Sequence, residues 1–114
     1  MQAGRVCRDI FLESDQMDCM DVVHQARFLS AEAVEVCGGV FLDRDKILCL
    51  KKISDKRFFS GAAVGVCGGI FLDDEKILCL RTISDRRISR DEAEFCGGKF
   101  LDSDKIECFR RFSY

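Results

Sequence analysis

Cysteines are the residues in this chain with the most chemistry to offer. There are eight, Cys7, Cys19, Cys37, Cys49, Cys67, Cys79, Cys96 and Cys108. Thiols can ligate zinc, run disulfide exchange or close structural bridges, and their spacing separates the three. Zinc and redox sites favour close C-x-x-C pairs, zinc with a second pair or histidines and redox with a thiolate-stabilising environment. Here no two cysteines are closer than twelve residues, and His24 is the only histidine. No metal set is therefore assigned, and four equivalent pairs read as architecture rather than as a thiol-exchange site. The pairing expected is Cys7–Cys19, Cys37–Cys49, Cys67–Cys79 and Cys96–Cys108. An even, high cysteine count then points to an oxidising compartment, periplasmic or extracellular.

The remaining polar constellations are weaker. The acidic turns Asp43-Arg44-Asp45, Asp73-Asp74-Glu75 and Asp102-Ser103-Asp104 suggest calcium. An EF-type loop needs more oxygen ligands and a glycine for its turn. Each turn instead offers a helix cap, an acid and a lysine (Lys46, Lys76, Lys105). Basic residues gather after each acidic segment: Lys51, Lys52, Lys56 and Arg57, then Arg81, Arg86, Arg87 and Arg90, then Arg110 and Arg111. Much of this fits helix C-termini, where the dipole favours cations. Stacked, these side chains would form a ridge able to hold an anionic glycan, a lipid headgroup or an acidic protein. Nucleic acid is not expected, since aromatic stacking residues do not interleave with the charges. One histidine builds no Ser/His/Asp set, and no enzyme or cofactor is assigned.

What positions these residues is a repeat of about thirty residues. The segments VCGGVFLDRDKILCL (36–50), VCGGIFLDDEKILCL (66–80) and FCGGKFLDSDKIECF (95–109) are copies, and CRDIFLESDQMDCM (7–20) is a divergent fourth. The matched columns Met17/Ile47/Ile77/Ile106, Met20/Leu50/Leu80/Phe109 and Val23/Ile53/Ile83/Phe112 are apolar and three apart, a helical stripe. A helix B therefore follows each acidic turn, with Asp43, Asp73 and Asp102 expected as its N-caps. A helix A precedes it. Ser30, Ser60 and Ser89 are its caps, Ser89 to Glu92 is a capping box, and Leu29, Phe59 and Ile88 staple onto Val34, Val64 and Ala93. Phe11, Phe41, Phe71 and Phe100 are expected as a ladder inside the core. The competing reading, two strands around DDEK, fits the charged positions Glu107, Arg110 and Arg111 less well.

Cysteines six residues either side of Glu13, Asp43, Asp73 and Asp102 lie at equal height in an antiparallel helix pair. Helix packing geometry puts facing Cα atoms roughly 3.5–5.5 Å apart, within disulfide reach. Each bridge closes a short loop and contributes about 3 kcal/mol in the chain-entropy picture. The glycine doublets Gly38-Gly39, Gly68-Gly69 and Gly97-Gly98 are expected to be buried against the preceding unit. Arg8 and Asp9 occupy those positions in the first unit and are expected to face water as a terminal cap. The repeat frame also calls for a serine cap just before Met1, as though a leader had been removed.

The element Phe41-Leu42-Asp43-Arg44-Asp45-Lys46, with Phe100-Leu101-Asp102-Ser103-Asp104-Lys105, resembles F-D-S-D-K-type repeats of a bacterial helical-repeat family of unknown function. Disulfide-stapled hairpins are also similar in design to the Sel1-like cysteine-rich secreted repeat proteins. Both resemblances imply an exported bacterial repeat protein used for binding, and neither implies an activity.

The expectation is an all-α fold, a right-handed α-solenoid of four disulfide-stapled αα-hairpins. They make one domain over 1–114, with units near 1–24, 25–54, 55–84 and 85–114. A net charge of -2 suggests neither a general nucleic-acid binder nor an acidic tail, the lack of an eighteen-residue apolar run argues against membrane insertion, and a monomer is expected. The function expected is a non-catalytic interaction module binding a protein or an anionic envelope component. The alternative is a structural spacer of a larger exported protein, with no partner of its own.

Overall fold

A computed structural model describes residues 2–112, the side chains of the first two excepted. The expectation of a leader before Met1 lies outside these residues. The described chain is helical with no strand: α1 (Gln2–Arg8), α2 (Glu13–Gln25), α3 (Ala31–Gly38), α4 (Asp43–Ile53), α5 (Gly61–Gly68), α6 (Asp73–Ile83), α7 (Arg90–Gly97) and α8 (Asp102–Arg111). Odd-numbered helices pack on one another in one layer, even-numbered helices in a second, and each pair α1/α2, α3/α4, α5/α6 and α7/α8 is a hairpin across the layers. The stack measures 41 × 26 × 17 Å. Helices of seven to thirteen residues are marginal alone, so this packing has to hold them.

Local signals start the odd helices where the sequence places them. Ser30 Oγ accepts from the Ala33 N–H and Ser60 Oγ from the Ala63 N–H. Ser89 and Glu92 form the reciprocal capping box. Phe59 and Ile88 are buried before their caps, beside buried Val34, Val64 and Ala93. Disulfides join Cys7–Cys19, Cys37–Cys49, Cys67–Cys79 and Cys96–Cys108, with Cα–Cα distances of 5.4–5.5 Å, the upper end of the expected range. All eight sulfurs belong to the core, between Ile47, Leu50 and Ile53 and their repeats.

The helical stripe is buried in the later units but not in the first. Met17 and Met20 are exposed, whereas Ile47, Leu50, Ile77, Leu80, Ile106 and Phe109 are buried. The even helices α4, α6 and α8 each pack on the even helix of the unit before, and α2 has no such neighbour among the described residues.

Three expectations are corrected. Phe11, Phe41, Phe71 and Phe100 do not form a ladder in the core, being 89, 83, 84 and 96% exposed. The connector between the helices of a hairpin bends at the phenylalanine and the leucine, which carries both side chains out of the core. Ile10, Val40 and Ile70 point inward at no more than 2% exposure, and the phenylalanine after each points out. Asp43, Asp73 and Asp102 do not cap their own helices. The N-cap positions are Leu42, Leu72 and Leu101, which have no side-chain cap bond, and the aspartates are the first helical residues.

The glycine doublets, finally, are not buried. Gly38, Gly39, Gly68, Gly69 and Gly98 are exposed, as Arg8 and Asp9 are, and Gly97 is intermediate. The first glycine of each doublet does lie under a neighbour. A Cβ there would come within 3.2, 3.3 and 2.9 Å of the preceding unit's Val6, Val36 and Val66. The second glycine meets only its own helix's carbonyls, 3.4–3.5 Å away.

Candidate docking surface

The hairpin topology gives the stack two unlike edges. All intra-hairpin turns lie along one edge and all connections between units along the other.

On the turn edge the aspartates that miss their own helices reach back one unit. Asp43 Oδ2 accepts the Phe11 N–H at 3.0 Å. Asp73 accepts the N–H of Phe41 at 3.0 Å and of Leu42 at 3.1 Å. Asp102 Oδ2 accepts the Phe71 N–H at 3.0 Å. The turn leaves these N–H groups without a backbone partner, and a carboxylate at the next helix's first turn is placed to satisfy them. Lys46 and Lys105 pair with Asp43 and Asp102 at 3.5 and 3.2 Å. The Phe71 N–H, and then Lys105, hold the Asp102 carboxyl below its ordinary value. Buried Asp15 adds a further link between units, to Arg44 at 3.2 Å.

Each clasp fixes the backbone of a phenylalanine whose ring projects into solvent. Leu12, Leu42, Leu72 and Leu101 stand beside the rings at 50–56% exposure. The edge is thus four Phe-Leu rungs, the first three on a pinned backbone. Between the second and third rungs runs a groove of about 950 Å³, bounded by Phe41, Leu42, Phe71 and Leu72 with Gly39 and Gly69 in its lining. Asp45, Asp74 and the cation Lys76 also line it. The turn segments 8–16, 38–46, 68–76 and 97–105 hold ten carboxylates and six basic side chains, leaving ten and twelve for the rest of the chain. The edge is apolar and acidic together.

The opposite edge uses the same device between successive connections. Asp55 and Asp85 adopt left-handed backbone angles, φ 63° and 58°. Asp55 Oδ1 accepts the Arg27 N–H, while Asp85 Oδ1 accepts those of Arg57 and Phe58. Their own N–H groups bond to the carbonyls of Phe28 and Phe58. Sequence reasoning passed over both residues, although Ser-Asp recurs at one column and aspartate tolerates this conformation better than most.

The basic residues divide by environment. Lys51, Lys52, Arg57, Arg81 and Arg111 are exposed, while Lys56 and Arg86 are intermediate. Others are engaged locally: Arg90 with Glu94 at 3.4 Å, Arg110 with Glu107 at 3.3 Å, and Arg87 over the Phe58 ring at 5.8 Å. Among the described residues, no three His, Cys, Asp or Glu side chains gather as a metal site. No described helix is long and apolar enough to cross a membrane. Comparison with protein-family models, curated proteins and solved structures finds no match to this chain.

Proposed function

We propose that the chain is a non-catalytic interaction module of an exported bacterial protein, binding a protein or envelope component through its rigid helical-repeat surface. The observation that carries this reading is the turn edge. Four phenylalanines at more than 80% exposure recur once per unit, and the backbone of the first three is held by the next unit's carboxylate. A regular apolar row of this kind exposes surface that folding alone would not require, and such patches mark interaction sites. A spacer with no partner gains nothing from it. Four disulfides support a non-reducing location, periplasmic or extracellular. The exposed basic side chains of the opposite edge are a second surface suited to anionic groups. It is the weaker candidate, because several of its cations are engaged locally.

Affinity capture tests the reading. The immobilised oxidised chain and its Phe41→Ser/Phe71→Ser variant are exposed to the exported and envelope fractions of the source cell. A discrete component retained by the first and lost by the second is expected. Identical retention by both would assign the turn edge no partner and favour the spacer.

A further inference from the structure

We infer that the turn edge binds a basic, proline-rich segment of a partner protein in the polyproline II conformation, one turn of the segment to each Phe-Leu rung. The inference rests on the interaction-module reading and names its surface and its partner's chemistry.

Period is the first argument. Neighbouring helices within a layer pack roughly 8–10 Å apart, so the rungs recur at about that interval. A polyproline II helix repeats every three residues, about 9.3 Å. Alternate residues of a strand recur at about 6.6 Å, out of step with the rungs. An α-helix returns a side chain to the same face every turn, about 5.4 Å, so that only every second turn would meet a rung. Polyproline II segments are moreover taken up by aromatic-lined grooves, because their conformation is set before binding.

The groove floor is the second. Nothing in the fold calls for glycine at Gly39 or Gly69. Their backbone is ordinary right-handed helical, near φ -84°, and no neighbouring unit would meet an added Cβ. Asp9 fills the same column in the first unit. A bare floor between Phe41 and Phe71 admits a partner backbone without a sheath of side chains, which polyproline II presents and an α-helix does not.

Charge is the third. Asp45, Asp73 and Asp74 line the groove against one cation, Lys76, and among the described residues no ion pair occupies Asp45 or Asp74. Positive residues between the prolines would meet them. The same carboxylates oppose a second copy docking edge to edge, and an anionic membrane.

Fluorescence anisotropy with labelled (Pro-Pro-Arg)4 tests this on the oxidised chain. The peptide spans about 37 Å as polyproline II, enough for all four rungs. (Gly-Ser-Arg)4 keeps its charge without the conformation, and (Pro-Pro-Glu)4 keeps the conformation with the opposite charge. Expected is binding of (Pro-Pro-Arg)4 at least about ten-fold tighter than either control, weakened about ten-fold or more by Phe41→Ser/Phe71→Ser. Gly69→Ala should weaken it several-fold while leaving the melting temperature equal or higher. Equal binding of (Gly-Ser-Arg)4, or unchanged binding by the serine variant, would overturn the inference. So would phenylalanine-dependent binding to phosphatidylcholine vesicles, to a basic amphipathic helix in preference to the proline peptide, or to a second copy. If no proline peptide binds while captured material still depends on Phe41 and Phe71, the inference fails and the interaction-module reading stands.

Discussion

The two edges of the stack solve one problem and leave opposite surfaces. At both, an aspartate accepts backbone N–H groups that the turn would leave unpaired: Asp43, Asp73 and Asp102 between successive turns, Asp55 and Asp85 between successive connections. The connection edge tucks Phe59 and Ile88 inside and half-covers Phe58 beneath Arg87. The turn edge sends every phenylalanine out. Backbone satisfaction is the same in both places, so it does not explain the exposed rings. What the comparison teaches is that the turn edge separates the residues that hold it from the residues it displays.

The largest effect should come from cutting the bridges that lie between the edges. Loss of a single disulfide, as in Cys67→Ala/Cys79→Ala, should destabilise by about 3 kcal/mol. Full reduction should abolish cooperative thermal unfolding by circular dichroism. A reduced chain that melted like the oxidised one would show that packing alone fixes both edges.

Next come the clasps. Asp85→Ala removes two hydrogen bonds and leaves a left-handed backbone to a residue that resists it, so about 2–3 kcal/mol should be lost in urea unfolding. Asp73→Ala, on the turn edge, keeps an ordinary helical backbone and should lose less, about 1–2 kcal/mol. The reverse order would mean that the clasps of the turn edge outweigh the left-handed backbone of the connection edge.

Acid should act on the turn edge through Asp102. Its carboxyl is held low by the Phe71 N–H and by Lys105. A lowered folded value means the contribution is present above the ordinary carboxylate range and fades as pH falls through the lowered one. The Phe71 amide shift, followed by NMR, should titrate with a midpoint below about 3.9. A midpoint at or above that value would break the clasp assignment.

The helices were legible in the sequence because the repeat supplied its own comparison: matched columns three apart, serine caps, and cysteines symmetric about each turn. The even helices were placed correctly but their aspartates were misassigned. An N-terminal acid reads as a cap for its own helix, and nothing local reveals that the preceding turn lies closer. The phenylalanines were misplaced for a similar reason. At the adjacent apolar pairs Val40-Phe41 and Ile70-Phe71 the turn buries the first residue and exposes the second, and the recurrence of phenylalanine in every unit reads as a core ladder instead. The packing behind Gly38, Gly68 and Gly97 was anticipated, but their exposure was not, because a glycine can touch one valine and still face water.

The smallest stability change belongs to the displayed residues, and it bears most directly on the central claim that the turn edge shows phenylalanines the fold does not use. Urea unfolding of the chain with Phe11, Phe41, Phe71 and Phe100 all replaced by serine measures it. The account predicts a stability within about 0.5 kcal/mol per site of the parent and an unchanged denaturant slope. A loss of about 2 kcal/mol or more per site, as for a side chain removed from a core, would contradict it.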